Sequence, residues 1–316
     1  MATTAAPSVT VRTPELARRR GADAPGAIFR VVLFGGLTFS LLLLAVLIWQ
    51  MWSEGGSVIT DRFGSFVTSG MATEPAEAGV WQGIKGTVLL GLIVAFVAFP
   101  LGICAAIYLE EYSRAGRFAR VVDINIRNLA GVPSIVYGLL GLAVFVKALG
   151  DDGGGGLTGG RTLISAGLTL SLLVLPIVII TAQEALRAVP SGIREGALAL
   201  GATRWEMIRY HVVPAAAPGM LTGTVLSLAR AAGEAAPLLV VGATTGVFFT
   251  GNQGLLEQIT DGRFTALPMV IFSFARQPAS QGWPALVGAA SLVLLALIFL
   301  MNAIAIYFRN RYEKKW

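Results

Sequence analysis

Long apolar runs separated by short polar segments set the rhythm of this chain. Six runs, at 31–51, 84–109, 129–149, 163–182, 218–241 and 286–308, approach the ~20 mostly apolar residues that a helix needs to cross a hydrocarbon core of about 30 Å. The pattern predicts an all-α integral membrane protein with six transmembrane helices. The first run follows a hydrophilic stretch of about thirty residues, and no A-x-A site comes after it, so it reads as a retained signal-anchor rather than a cleaved signal peptide.

Composition agrees with the pattern. Hydrophobic residues make up 55% and charged residues 13%, against about 25% charged in a soluble domain, and the mean hydropathy is +0.72. One cysteine, Cys104, and one histidine, His211, provide no basis for a Cys/His metal site. Cys104 lies in an apolar run and reads as a small packing residue. No cofactor is expected.

The basic residues give the runs a direction. Seventeen of the 24 fall in the N-terminal tail, the second-to-third and fourth-to-fifth connections, and the C-terminus. By the positive-inside rule these segments and both termini are cytoplasmic. The resulting division is a basic cytoplasmic tail at 1–29, expected to be disordered, a six-span domain at 30–308, and a basic C-terminus at 309–316. The pI of about 9.8 follows from this topology and is no sign of nucleic-acid binding.

Three outer segments differ in character. The stretch 53–83 is mildly acidic and reads as a loop, and 150–161 is a glycine-rich turn. No lysine in the chain follows a glycine, so the G-x-x-x-x-G-K-[ST] phosphate cradle is absent. In the third, 242–284, the apolar stretch 264–275 is too short to span. It reads either as a re-entrant or interfacial segment or as an amphipathic element packed on the outer mouth.

The connection 184–214 carries the densest local signals. Ser191 after Pro190 can cap a helix, and Gly201 stands where a helix would end in a left-handed conformation. Thr203-Arg204-Trp205-Glu206 then has the form of a capping box. The segment therefore reads as a helix–turn–helix outside the bilayer, with Pro214 ending the second helix or opening the next element. Its apolar face, small at Ala197 and bulky at Leu200 and Trp205, suits either a groove on another protein or the chain's own bundle.

Glu195, Ala197, Gly201 and Pro214, in the order Glu-x-Ala, three residues, Gly, twelve residues, Pro, resemble the EAA loop of permease subunits in bacterial ABC importers. Gly196 replaces the usual alanine, and His211 and Val213 also depart from the common pattern. Residues 128–138 and 229–239 are similar to the third and fifth spans of phosphate permeases, and the ending 302–312 favours one of that system's two permease types. The resemblance covers about residues 80–312. It implies the type I importer permease fold, with 184–214 as the cytoplasmic coupling loop docking into a separate ATPase through Glu195, Ala197, Leu200, Gly201, Trp205 and Pro214. Implied partners are a second permease subunit, two copies of a cytoplasmic ATPase, an extracytoplasmic phosphate-binding protein and membrane lipid. The chain itself would not be an enzyme, and it would sit in the bacterial cytoplasmic membrane.

Arg230 and Glu234 lie inside the fifth run, four residues apart and so on one helical face. A lone charge at mid-bilayer costs at least about 2.5–3.5 kcal/mol on insertion scales, so such groups normally face the bundle interior or an aqueous path. Arg230 has the planar fork that suits phosphate oxygens, and Glu234 would hold it when no anion is present. A permanent structural ion pair is the other reading. Gly233 beside them suggests close helix approach. Arg127, Gly131 and Pro133, at one end of the third run, are weaker candidates for a pathway or hinge, as against headgroup contact and ordinary packing.

Two other function classes fit the same spans. A permease for another oxyanion would share the coupling loop. An ion-coupled secondary transporter would need more intramembrane carboxylates than the single clear one, Glu234, and paired broken helices.

Overall fold

The computed structural model describes residues 24–113, 116–150, 156–244 and 263–312. Two compact units are distinguished, 1–49 and 50–316. Of the expected disordered tail, residues 1–23 lie outside the described residues, as do 151–155 of the glycine-rich turn, 245–262 of the third outer segment and 313–316 of the C-terminus. Among the described residues every regular element is helical.

In the first unit the described backbone is the opening of helix α1 (Ala24–Thr68), with Ile28, Phe34, Leu41 and Trp49 exposed along its length. An apolar helix exposed on all sides suits a lipid environment.

The second unit is built on α2 (Trp81–Ile107) and α5 (Leu163–Arg187), which pack against each other. Gly102 permits this approach, because a Cβ there would stand 2.6 Å from Val178. Lipid tails provide no hydrophobic drive between helices, so close contact through small residues carries more of the packing. Helix α8 (Val213–Gly233) packs on α5 and α2, and α11 (Trp283–Tyr312) packs on α8. Among the described residues five helices are long and apolar enough to cross a membrane, or six when a sharply bent pair is counted as one span.

That pair replaces the continuous span expected at 129–149. Helix α3 (Arg117–Ala130) ends before Gly131, and α4 (Ser134–Gly141) continues as a π-helical turn over Leu142–Ala148. The two parts meet at 102°. Pro133 takes an extended ψ of 137° at the corner, and the Tyr137 hydroxyl donates at 2.8 Å to the Leu129 carbonyl, which also accepts the Val132 N–H, so the side chain ties α4 back to the end of α3. Helix α3 has no buried residue, whereas Gly138 on α4 packs where a Cβ would stand 2.8 Å from the Pro237 backbone.

The fifth run is also broken. Helix α8 stops at Gly233, Glu234 is extended (φ −81°, ψ 122°), and α9 (Ala236–Val241) follows. Pro237 lacks the N–H that would pair with the Gly233 carbonyl in a continuous helix. Glu234 therefore does not share a helical face with Arg230 as expected.

The outer segment 53–83 is mostly helix rather than loop, since α1 runs to Thr68 with a kink at Arg62 (φ −141°). The Arg62 guanidinium donates to the carbonyls of Ala76 and Pro75, the latter at 2.6 Å, closing the turn that leads into α2. The stretch 264–275 forms α10 (Leu267–Ala275), with Leu267, Met269, Val270 and Phe274 buried against neighbouring helices rather than on one amphipathic stripe. Its first N–H, on Leu267, donates to Thr87 Oγ1 of α2 at 2.9 Å. Cys104 is exposed on α2 and is not a core packing residue within this chain.

Gly86 of α2 faces the turn before α10, and a Cβ there would lie 1.8 Å from the Thr265 carbonyl oxygen. Gly86→Val is expected to destabilise the chain by at least ~1–3 kcal/mol, the usual cost of overpacking. Thermal unfolding in detergent followed by tryptophan fluorescence checks this; an unchanged midpoint would contradict the close approach.

Candidate functional site

The segment predicted as a helix–turn–helix folds as one, with different details. Helix α6 (Ser191–Ala199) is preceded by Pro190, whose φ of −57° and ψ of 140° set the chain entry. Ser191 is the first helical residue and makes no capping hydrogen bond, because Pro190 occupies the cap position. At the other end Gly201 takes φ +86°. The Ala202 N–H donates to the Ala197 carbonyl at 3.1 Å and the Gly201 N–H to Leu198 at 3.0 Å, the paired bonds of a left-handed helix stop.

The capping box is present. The Glu206 N–H donates to Thr203 Oγ1 at 3.3 Å, and the Thr203 N–H donates to Glu206 Oε2 at 2.8 Å. Together they open α7 (Arg204–Met207). Pro214 does not end this second helix. The chain passes through a π-helical turn, Ile208–Val212, directly into α8, and Pro214 stands in the first turn of α8.

The apolar residues of this segment divide between two sides. Ala197, Met207, Ile208 and Val212 are buried with Ile179, Ala182 and Leu186 of α5. Leu200 is 91% exposed and Trp205 56% exposed, with Leu198 also exposed. Ala197 therefore does not share an outward face with Leu200 and Trp205. A methyl-sized residue fits against α5, and the bulky residues point away. Glu195 is exposed, with no hydrogen bond or ion pair among the described residues.

Two ion pairs bind the segment and the α5 end to α2. The π-helical turn Tyr108–Tyr112, which continues α2, presents Glu110 and Glu111. Arg187 grips Glu110 with both ends of its fork, its Nε donating at 2.9 Å. Arg194 of α6 donates to Glu111 Oε1 from Nη2 at 2.8 Å and from Nε at 3.1 Å. Arg194 also donates to the carbonyls of Leu186 (2.8 Å) and Val189 (2.7 Å), at and just beyond the end of α5. Sequence reasoning missed all four residues. The available signal was an adjacent carboxylate pair closing an apolar run between arginine-rich segments.

In the intramembrane region Arg230 Nε stands 3.4 Å from Glu234 Oε1, so the expected pair forms even though the helix ends between them. Their side chains are 45% and 20% exposed, so Arg230 lies at the surface of this chain's bundle while Glu234 is largely covered. A Cβ on Gly233 would meet nothing within 4 Å, so this glycine borders open space and not a close helix contact. Arg127 is occupied elsewhere, on α3, with Asp123 at 3.0 Å. Gly131 and Pro133 form the α3–α4 corner and contribute no side-chain chemistry there.

This combination of bent apolar helices and a tethered helix–turn–helix defines a membrane transport subunit. The chain matches the family described as binding-protein-dependent transport system inner membrane component over residues 98–314, and it belongs to that family. It is 33% identical over 278 residues to the phosphate transport system permease protein PstA 1 of Mycobacterium tuberculosis, covering 87% of this chain and 86% of that one. It is 34% identical to the phosphate transport system permease protein PstA of Yersinia pestis, covering 87% and 88%. Its fold is similar to that of a bacterial ABC transporter involved in the import of the acidic polysaccharide alginate (TM-score 0.60, 15% identity, 92% of this chain and 99% of that one). It is also similar to the MetNI methionine ABC transporter in an inward-facing form (TM-score 0.55, 16% identity, 77% and 100%).

Removing Arg194 leaves Glu111, whose side chain is 6% exposed, without its counter-charge. Breaking such a pair typically costs about 3–5 kcal/mol, whereas removing both charges is far milder. Arg194→Met should lower the thermal midpoint, and adding Glu111→Met should recover much of the loss. A double variant no better than the single one would refute this account of the pair.

Proposed function

We propose that the chain is one half of the translocation pathway of an ATP-driven inorganic phosphate importer, a permease of the PstA kind. The other half is a second, PstC-like permease subunit. Two copies of a PstB-like cytoplasmic ATPase carry out the hydrolysis, and a PstS-like extracytoplasmic protein delivers the anion. The observation that carries this reading is the coupling segment itself. Its inner face is packed and ion-paired onto α2 and α5, while Leu200 and Trp205 stand exposed. The similarity to phosphate permeases over most of the chain supports the cargo, and the arginine distribution supports cytoplasmic termini and a cytoplasmic coupling segment.

In this mechanism Leu200, Trp205 and the neighbouring Glu195 enter a cleft of the ATPase, with Gly201 forming the corner. Closure of the ATPases pushes α6, and the buried Ala197–Met207–Ile208 contact passes the movement to α5. Because α7 runs without a stop through Pro214 into α8, the same push reaches Arg230 near the far end of that helix. Arg230 faces the pathway between the two permease subunits and exchanges Glu234 for phosphate oxygens as the anion passes. Arg's fork can donate two hydrogen bonds to such an oxyanion, and the carboxylate lowers the energy of the empty state.

Arg230→Gln should abolish uptake of labelled phosphate into vesicles while the complex still assembles; full uptake by this variant would sink the exchange mechanism. Leu200→Asp, at an exposed position, should leave folding intact and reduce ATPase copurification by about tenfold or more, as expected when a buried anchor is lost. Uptake that continues without ATP would favour a secondary transporter, and efficient competition by sulfate or molybdate would favour another oxyanion.

A further inference from the structure

Between α3 and the adjoining ends of α2 and α5 lies an open cleft of about 540 Å³, within the ~300–1,000 Å³ range of ordinary ligand sites. Three guanidinium groups line it. Arg187 is fixed by Glu110, whereas Arg117 and Arg120 are exposed and have no partner among the described residues. Two buried acceptors also lack a donor. Gln183, 1% exposed, lines the cleft with its Oε1 unpartnered. Asp123 gives Oδ2 to Arg127 and leaves Oδ1 buried and unpartnered. A buried polar atom without a partner costs about 1–3 kcal/mol, so two lining one cleft call for a physical reason.

We propose that this cleft binds a phosphate group that carries its own hydrogen-bond donors. Arg117 and Arg120 pair with the phosphate oxygens, since arginine forks match that geometry. Its donors, O–H or N–H, satisfy Gln183 Oε1 and Asp123 Oδ1. Two sources have this chemistry. One is a lipid headgroup with a primary amine or free hydroxyl, such as phosphatidylethanolamine or phosphatidylglycerol. The other is free dihydrogen phosphate. Phosphatidylcholine and sulfate lack the donor and fit poorly.

The test uses the full chain in nanodiscs, in an Arg230→Gln background so that the intramembrane pair does not contribute. Binding rather than uptake is read, so the result is independent of the transport reading above. Native mass spectrometry counts phosphatidylethanolamine or phosphatidylglycerol retained from mixed discs. Equilibrium dialysis with labelled orthophosphate, with and without sulfate, is run in phosphatidylcholine discs. Retained lipid assigns the headgroup source, and sulfate-resistant orthophosphate binding assigns the free anion. In either case Arg117→Gln/Arg120→Gln and, separately, Gln183→Met should each weaken binding by about tenfold or more, the scale of losing a charge-assisted or buried hydrogen bond. The proposal is overturned if neither probe binds, if either variant binds as the parent does, or if phosphatidylcholine and sulfate bind equally well. An effect of the arginine variant alone would indicate ordinary surface attraction and would likewise overturn it.

Discussion

A chain this apolar must satisfy its backbone hydrogen bonds without help from water, and the cost of failing to do so shapes each departure from straight helix. The places where helices stop are the places where polar side chains are used. Arg62 reaches the carbonyls of Pro75 and Ala76. Tyr137 takes the Leu129 carbonyl at the α3–α4 corner, and Thr87 accepts the first N–H of α10. Arg194 covers two carbonyls at the end of α5 while pairing with Glu111. Each polar group thus bonds the backbone where a helix starts or stops, and in doing so fixes where two elements meet.

The same constraint explains why the coupling segment is stiff. It has a glycine stop, a capping box and no free helix end between Thr203 and Gly233. Its inner residues are buried on α5, and its arginine is locked to a carboxylate on α2. A force applied to the exposed Leu200 and Trp205 therefore meets a unit that moves as one body, where a flexible loop would absorb the displacement. Rigidity here comes from short-range caps and from one long-range charge pair, and both are needed.

Much of the candidate site was legible in the sequence because its signals are local. Thr203 and Glu206 are three residues apart, and a glycine after a helix already points to a left-handed stop, so both could be read without knowing the fold. The Arg230–Glu234 pair was found for the same reason, although its helical geometry was not: Pro237, within the same run, withdraws an N–H and breaks the helix. The Ser191 cap failed because Pro190 already held the position. The span at 129–149 failed because apolarity continues across a corner that Gly131 and Pro133 turn through 102°.

The sequence by itself determined the number of apolar runs, the asymmetry of the arginines, the capping box and the turn at Gly201, since these depend on composition and on neighbours a few residues away. Only the tertiary structure decided that Ala197 faces inward while Leu200 and Trp205 face out. The same holds for the partner of Arg194, which lies 83 residues away, and for the buried Gln183 beside a cleft lined by arginines. The physical reason is distance along the chain. A helix fixes which residues share a face, but which face is covered depends on where the other helices come to rest.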